Sequence, residues 1–427
     1  MHVNTGSSGA AARAAAGLAK GTSPGTGLGR ALTVTLTLAC AISSANIYLN
    51  QPVLTDMAHS FGVSEGAMGS VPTATQFGYA LGILLLVPLG DTRDRRKLIL
   101  TLGTATTVAL AAAAVAPNLA VLTVVSFLLG ALTPIPQIVI PLAVALSGER
   151  TKGRTVGVLQ GGLLVGLLAS RAYAGALAAL VGWRWVYGCS VALMVMLVAL
   201  LFFALPKGIT GASAMPYREL LGSLPKLLAD HALVRRVCLS GALVGISFGA
   251  FWTTLAFVLQ DSYGYGPGIA GLFGLVAAAS ALGSPRAGRL ADRKGGRYTQ
   301  TLLLIVSLAG WAALAGGKNW LALLVLGVVL LDVGVWGNQV VNQAMLFKLD
   351  PAQHSRLNTL YFTTRFIGIA TGSLVGSQIW NVGGWYGVGI LGVGVLLLAA
   401  PILCTTRDAV PASEDTLVPT DVPAREA

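Results

Sequence analysis

The sequence predicts an all-α polytopic membrane protein with about twelve transmembrane helices, arranged as two six-helix pseudo-repeats. Three observations favour this fold. Of the 427 residues, 55% are hydrophobic and only 10% are charged, with a mean hydropathy of +0.75, whereas soluble domains carry roughly a quarter charged residues. The basic residues sort to one side of the predicted helices, and the second half of the chain repeats features of the first at a constant offset.

The apolar residues form runs of roughly 20 residues, the length that an α-helix needs to cross a bilayer. Short polar segments separate these runs, so each run is interpreted as one membrane span. The predicted spans, numbered in chain order and placed to within about two to four residues, are 31–53, 68–89, 98–116, 119–147, 156–180, 185–205, 237–260, 268–285, 298–315, 319–346, 358–381 and 385–404.

The basic residues indicate the orientation of these spans. Of 28 lysines and arginines, 24 fall in the two tails and in the loops that follow even-numbered spans. Arg184 and Lys318 lie in the other loops, and Arg171 and Arg365 lie inside spans. The positive-inside rule therefore predicts a multi-pass protein of the cytoplasmic (inner) cell membrane with both termini in the cytoplasm. Topology thus accounts for the net charge of +12, and no nucleic-acid partner is expected.

The longest internal polar stretch separates the spans into two sets of six. It contains a candidate amphipathic helix near Tyr217–Leu228, which we expect to lie on the membrane surface. Both tails lack the long apolar runs of the spans and are expected to be disordered. The predicted segments are a disordered cytoplasmic tail (1–28), an N-terminal six-helix bundle (29–205), a cytoplasmic linker (206–236), a C-terminal six-helix bundle (237–404) and a second disordered cytoplasmic tail (405–427).

An internal repeat relates the two bundles. Shifting the sequence by 202 positions superposes Gln137 on Gln339, and Gly182 with Trp183 on Gly384 with Trp385. Two parallel repeats of this kind enclose a cavity between them, which opens to alternate sides when one half rocks against the other.

A charged loop motif occurs between spans 8 and 9, where the sequence reads GRLADRKGGR. This pattern resembles the cytoplasmic loop signature of the major facilitator superfamily. The resemblance implies the fold of that superfamily, a cavity lined by spans 1, 4, 7 and 10, and a loop that latches the cytoplasmic gate. The residues that match the signature are Gly288, Asp292, Arg293, Gly295 and Arg297.

A second, less complete copy lies between spans 2 and 3, in VPLGDTRDRRK. It keeps Asp91 and the basic residues Arg95, Arg96 and Lys97. A carboxylate beside guanidinium groups at a helix end can form charge-assisted bonds that break when the gate opens. The alternative is that these loops are only positive-inside anchors. The match to the signature predicts the stronger latch in the second-half copy.

Two segments of the first half, Asn46–Ser64 and Thr73–Asp91, are similar to bacterial twelve-span efflux members of the superfamily. Two features of its drug:proton antiporter branch differ here. No basic residue lies within Val121–Ser147 of span 4, and the span 5 motif would fall on Ser170–Gly175, where only the last glycine matches. Export by proton antiport and other modes of transport therefore both stay open.

Three charged residues lie inside predicted spans, where an ionised group at the helix centre costs roughly 2.5–3.5 kcal/mol on insertion scales. Asp332 is the only acidic residue deep within a span. It is a candidate proton-coupling carboxylate, and the alternative is a permanent structural ion pair with Arg171. Arg365 lies near the inner end of span 11 and could extend toward the cytoplasm.

Polar side chains share one face on several spans. With Asp332, three residues of span 10 occupy an arc of about 60° at 3.6 residues per turn. These faces are predicted to line the substrate cavity, although scattered amides could also serve only to bond helices together. The predicted lining residues are Ser43, Asn46 and Asn50 of span 1, Gln137 of span 4, Ser247, Phe251 and Thr254 of span 7, and Trp336, Gln339 and Gln343 of span 10.

Together these features predict a secondary active transporter that exports a small organic or amphiphilic compound by proton antiport with alternating access. An uptake or facilitated-diffusion carrier is one alternative, and a non-transporting membrane receptor or scaffold is another. The sequence contains neither an ATP-binding phosphate loop nor a nucleophile-base or metal-ligand pattern, so neither an enzyme nor a cofactor is expected. The predicted partners are a small-molecule substrate, protons and the lipid bilayer, with the chain acting as a monomer.

Overall fold

The structure is a computed structural model, and the predicted disordered tails lie outside its described residues, apart from Thr405. The described residues are 29–148, 151–208, 215–281, 284–350 and 353–405.

Within the described residues, nine helices are long and apolar enough to cross a membrane. One of them, His354–Thr405, is interrupted at Gly384 and is long enough for two crossings. Two shorter apolar helices, Arg30–Ala45 and Pro267–Ala281, supply the remaining crossings. The predicted set of twelve spans is therefore confirmed.

Prolines shape two of the spans. Span 1 is a regular helix over Arg30–Ala45 and continues past an irregular segment, which contains Pro52, as Leu54–Phe61. Span 4 is interrupted before Ile135 by Pro134, since proline cannot donate the helical hydrogen bond. The other helices are Glu65–Met68 with Ser70–Thr92 (span 2), Arg95–Ala114 (span 3), Leu119–Leu132 with Ile135–Leu146 (span 4), Lys152–Val181 (span 5), Trp183–Ala204 (span 6), Ala232–Tyr263 (span 7), Pro267–Ala281 followed by Ser284–Lys294 (span 8), Gly296–Gly316 (span 9), Leu321–Leu346 (span 10) and His354–Thr405 (spans 11 and 12).

Matched glycines turn the chain at equivalent places in the two halves. Gly62 and Gly264, which are 202 positions apart, end helices with φ of 65° and 67°. Gly182 and Gly384, at the same offset, separate the last two spans of each half with φ of 89° and 56°. Residues with a Cβ rarely adopt such angles. The offset seen in the sequence therefore has a counterpart in the backbone.

The two halves, spans 1–6 and spans 7–12, meet along a surface that we call the seam. Span 5 packs against span 8, and span 2 packs against span 11. At the first of these contacts, a Cβ added to Gly271 would lie 2.5 Å from the carbonyl oxygen of Arg171. The lack of a side chain at this position lets the two helix backbones approach closely.

The linker helix predicted at Tyr217–Leu228 is present as Tyr217–Asp230. The Tyr217 hydroxyl donates to the carbonyl oxygen of Leu85 in span 2 at 2.9 Å, and Arg356 of span 11 donates to the Ser223 hydroxyl at 3.2 Å. The linker helix thus joins both halves at one end of the bundle. We call this the linker end, and the opposite end, near Gly62 and Gly264, the far end.

Candidate functional site at the seam between the two halves

Arg171 of span 5 lies at the centre of the seam and is only 1% exposed. Its Nε donates to Oε1 of Gln51 at 2.9 Å. The guanidinium carbon lies 4.7 Å from the ring centroid of Tyr48 and 3.9 Å from the ring of Trp252. Aromatic faces attract a cation, more strongly when water is excluded. The guanidinium is therefore held by an amide and two rings, and its Nη2 has no hydrogen-bond partner.

Asp332 of span 10 is fully buried, at 0% exposure. Its Oδ1 accepts a hydrogen bond from the indole N–H of Trp252 at 3.3 Å, whereas Oδ2 has no partner. In the described part of the chain, no basic side chain lies within 4.0 Å of this carboxylate. The permanent ion pair with Arg171, one of the alternatives from the sequence, is therefore not formed. Trp252 lies between the two charges, with its face toward Arg171 and its N–H toward Asp332.

Arg365 of span 11 is 2% exposed, so the expectation that it extends to the cytoplasmic surface is wrong. Its guanidinium carbon lies 5.9 Å from the ring of Trp336 on span 10. Tyr361, one turn earlier on the same helix, is a further neighbour. The Arg365 side chain is therefore directed into the protein interior, beside two aromatic residues. Its Nη1 has no hydrogen-bond partner.

The polar face of span 1 is buried, but its residues differ in their partners. Asn50 donates to the Thr75 hydroxyl of span 2 at 3.0 Å, which is a bond within the first half. The Ser43 hydroxyl and the Asn46 side-chain nitrogen have no partner. Asn46 and Ser43 therefore keep free polar atoms in the interior, while Asn50 also bonds one helix to its neighbour.

The polar face of span 7 does not point to the seam, contrary to the prediction that it lines the cavity. Ser247 accepts a bond from the indole N–H of Trp311 at 2.7 Å, and Phe251 packs against Trp311 and Trp385 at centroid distances of 6.2 and 6.3 Å. Thr254 bonds to the carbonyl oxygen of Ala250 in its own helix. Trp311 and Trp385 belong to spans 9 and 12, so this face points into the second half. The face directed to the seam is rotated by one residue and carries Trp252.

The predicted lining residues of spans 4 and 10 are partly open. Trp336, Gln339, Gln343 and Gln137 are each half-buried. Gln343 donates to the side-chain oxygen of Asn358 on span 11 at 3.1 Å. Trp336 packs edge-on against an aromatic ring of span 7 and lies beside Arg365. The face of span 10 that begins at Asp332 thus changes from fully buried to partly accessible toward the linker end.

Sequence reasoning missed Tyr48, Gln51 and Trp252, which hold the central charges. Tyr48 and Gln51 lie in the irregular segment of span 1, where a regular helical period no longer gives the direction of a side chain. Trp252 is one residue beyond Phe251 on a helix that is apolar on most sides. A tryptophan or tyrosine in the middle of a span that also faces buried charges is the only signal that could have pointed to them.

At the linker end, the less complete copy of the loop motif, between spans 2 and 3, contacts the second half. Asp91 accepts bonds from Arg95 at 3.0 Å and from the Ser355 hydroxyl of span 11 at 3.2 Å. Asp91 therefore joins span 2 to the second half. Arg96 donates to the carbonyl oxygen of Phe202 within the first half at 2.6 Å, and the Lys97 side chain is exposed.

The copy that matches the superfamily signature more fully makes no such contact. Asp292, Arg293 and Arg297 are exposed, and Gly288 and Gly295 are half-buried. Within the described residues, no ion pair or side-chain hydrogen bond joins Asp292 to the first half. The expectation of a stronger latch at this copy is therefore not met in this conformation. A pattern of residues specifies the chemistry of a loop but not whether a partner lies opposite it.

Spans 2 and 11 also close the seam at the far end. The indole N–H of Trp380 donates to Glu65 at 2.6 Å, and the backbone N–H of Gly66 donates to the Asn381 side chain at 3.2 Å. A cavity beside Arg171 and Trp252 has a volume of about 10 Å³. This is about the space of one water molecule, whereas ligand pockets usually measure about 300–1,000 Å³. The halves are therefore in contact at both ends and pack tightly around the central charges.

Comparison with known families agrees with this architecture. The family model described as Major Facilitator Superfamily matches residues 36–299 and 237–422. The chain belongs to the major facilitator superfamily. It is therefore a transporter rather than an enzyme, and the resemblance seen in the loop motif is confirmed.

Two superfamily relatives align along most of their length. An uncharacterized transporter, YgaY, of Escherichia coli O157:H7 is 35% identical over 362 residues, which cover 84% of this chain and 92% of YgaY. The chloramphenicol resistance protein of Streptomyces lividans is 29% identical over 391 residues, or 87% and 96% of the two chains. Among solved structures, the nucleoside transporter NupG matches with a TM-score of 0.72 at 14% identity, over 87% of this chain and 98% of its own. That likeness supports the fold alone.

Proposed function

We propose that this transporter exports a small organic or amphiphilic compound from the cytoplasm in exchange for protons, by alternating access. The observation that carries the proposal is the buried Asp332 carboxylate, whose second oxygen has no partner. Ionisable groups inside membrane proteins are costly and usually serve ion or proton pathways. A carboxylate with a free oxygen can take up a proton as soon as either side of the seam opens.

The arrangement around Trp252 supports a link between this proton and the movement of the halves. Arg171 belongs to the first half, whereas Trp252 and Asp332 belong to the second. When Asp332 is ionised, its charge attracts Arg171 across the indole ring, and protonation removes that attraction. Proton binding therefore acts on a contact that must break when the halves separate, as coupling by population shift requires.

The remaining predicted features are consistent with export by this route. The linker end faces the cytoplasm with both termini, in accordance with the distribution of basic residues, and the protein works as a monomer in the cell membrane. Gln137, Trp336 and Gln339 line the path from the linker end to the central charges. One aligned relative is named a chloramphenicol resistance protein, which is in keeping with export of an organic compound.

Proton coupling can be tested in proteoliposomes that contain a pH-sensitive dye. Chloramphenicol, suggested by the relative, and p-toluenesulfonate, a permanent anion that carries no proton across lipid, serve as probes. We expect at least one probe to move with a coupled change in internal pH, Asp332→Asn to abolish the coupling, and Asp230→Asn to preserve it. Asp230 is an exposed carboxylate at the end of the linker helix and so controls for loss of one charge.

Two outcomes would select the alternatives. Solute flux that continues unchanged without a gradient and after Asp332→Asn would indicate facilitated diffusion. Ligand binding without any change in the accessibility of cysteines placed at the two ends of the seam would indicate a receptor, and antiport would then be rejected.

A further inference from the structure

The buried charges at the seam do not balance. Arg171 and Asp332 are opposite charges that share Trp252. Arg365 is a further buried cation, and no acidic side chain in the described part of the chain lies within 4.0 Å of it, whereas the buried Arg95 is paired with Asp91. The centre of the protein therefore carries one positive charge without a matching negative charge. An isolated ion is expensive to bury, and inside a membrane protein it usually marks a functional site.

The surroundings of Arg365 show where a counter-charge could bind. The side chain is 2% exposed, and its Nη1 is buried without a hydrogen-bond partner. The ring of Trp336 on span 10 lies 5.9 Å from its guanidinium carbon, and Tyr361, one turn earlier on span 11, is a further neighbour. The next residue, Phe366, packs against Tyr79 of span 2 with ring centroids 4.6 Å apart. The unpartnered guanidinium nitrogen therefore lies close to the contact between spans 2 and 11, where the two halves meet.

The chemistry of the site selects a class of ligand. A guanidinium group with free N–H donors binds planar or tetrahedral oxyanions through short, charge-assisted hydrogen bonds. Trp336 is half-buried and offers an aromatic surface for an apolar or planar group beside the anion. Ligands that fit both features therefore have a negatively charged oxygen group attached to an apolar body.

We infer that the substrate is an organic anion, with a carboxylate or sulfonate group that Arg365 binds and an apolar body that packs against Trp336. This inference rests on the proposed transport function and narrows its substrate class. Arg365 acts as the specificity-determining residue, because binding of the anion neutralises the unmatched charge, whereas a neutral analogue of the same shape leaves the charge in place.

Matched pairs of compounds test the inference in thermal unfolding of the purified protein in detergent. The pairs are benzoate with benzamide, and p-toluenesulfonate with p-toluenesulfonamide, at constant ionic strength. We expect at least one anion at saturation to raise the apparent Tm by about 3 °C or more, and its amide to have little effect. Arg365→Gln should abolish the shift. Arg218→Gln, which removes an exposed arginine of the linker helix, should retain it.

A second measurement needs no ligand. If the Arg365 charge is uncompensated, Arg365→Met should unfold at a higher apparent Tm than the unliganded native protein, by about 2 °C or more. A structural role for the guanidinium predicts the opposite sign. Three results would overturn the inference: equal shifts with anions and amides, the full shift with sodium chloride alone, or a lower Tm for Arg365→Met.

These measurements are independent of proton coupling. Anions that stabilise the protein through Arg365, in a transporter that shows no pH-linked flux, would refute proton antiport and leave the anion site in place. Proton-coupled movement of chloramphenicol without any preference for the anions would support proton antiport and refute the anion site.

Discussion

Replacement of Trp252 by phenylalanine tests whether the indole joins the two central charges. The substitution keeps an aromatic face for Arg171 and removes the N–H that donates to Asp332. Hydrogen bonds to charged groups contribute about 1.5–3 kcal/mol, and the 3.3 Å distance is at the long end for an N–H···O bond. We therefore take about 1.5 kcal/mol for this bond and about 0.5 kcal/mol for the weaker cation–π interaction of phenylalanine. Trp252→Phe should lower the free energy of unfolding by about 2 kcal/mol.

The assay is reversible unfolding by sodium dodecyl sulfate of the protein in mild detergent micelles, arranged as a double-mutant cycle with Asp332→Asn. The two substitutions should couple by about 1 kcal/mol, since the asparagine oxygen still accepts a bond but carries no charge. Trp385→Phe is the matched control, because its indole N–H donates to the Leu314 carbonyl oxygen at 2.7 Å within the second half. The coupling energy between Trp385→Phe and Asp332→Asn should therefore stay below about 0.5 kcal/mol. Additive effects of Trp252→Phe and Asp332→Asn would refute the bridge.

Two further substitutions test the contacts that close the seam. Gly271→Ala should cost about 1–3 kcal/mol of stability, because its Cβ would lie 2.5 Å from a span 5 carbonyl oxygen. Gly268→Ala should be tolerated, since its Cβ would lie 3.5 Å from the nearest side-chain carbon. Equal unfolding curves for the two variants would contradict the close packing of spans 5 and 8. Asp91→Asn should change stability by less than about 1 kcal/mol, since its ion pair is partly exposed, yet should speed thiol labelling of a cysteine at Gln339 from the linker end. Asp292→Asn should leave the labelling rate unchanged, and a similar acceleration by both variants would mean that Asp91 is no latch.

The linker helix adds a constraint on this opening. It bonds to span 2 through Tyr217 and to span 11 through Ser223, and these are the same two spans that Asp91 joins at that end. Separation of the halves at the linker end must therefore break or carry along bonds of the helix as well as the loop. The polar stretch between the bundles is thus more than a connection in the chain.

The sequence by itself determined the number of spans, their approximate ends and the internal repeat. These features depend on average hydropathy and on local turn chemistry, both of which are properties of short segments. Gly182 and Gly384 illustrate this, because each adopts a positive φ at the turn between two membrane helices, a conformation that glycine reaches more easily than other residues. The linker helix was likewise predictable from its own amphipathic pattern.

Only the tertiary structure decided which faces meet and which charges find partners. Span 7 is apolar on most sides, and lipid is as apolar as a packed interior, so its sequence carried little information on whether Phe251 or Trp252 faces the seam. The same reason applies to Arg365, whose direction depends on how span 11 is rotated against its neighbours. Contacts such as that of Asp91 with Ser355 join residues 264 positions apart. Such contacts exist only once twelve helices have been packed together, which no local pattern encodes.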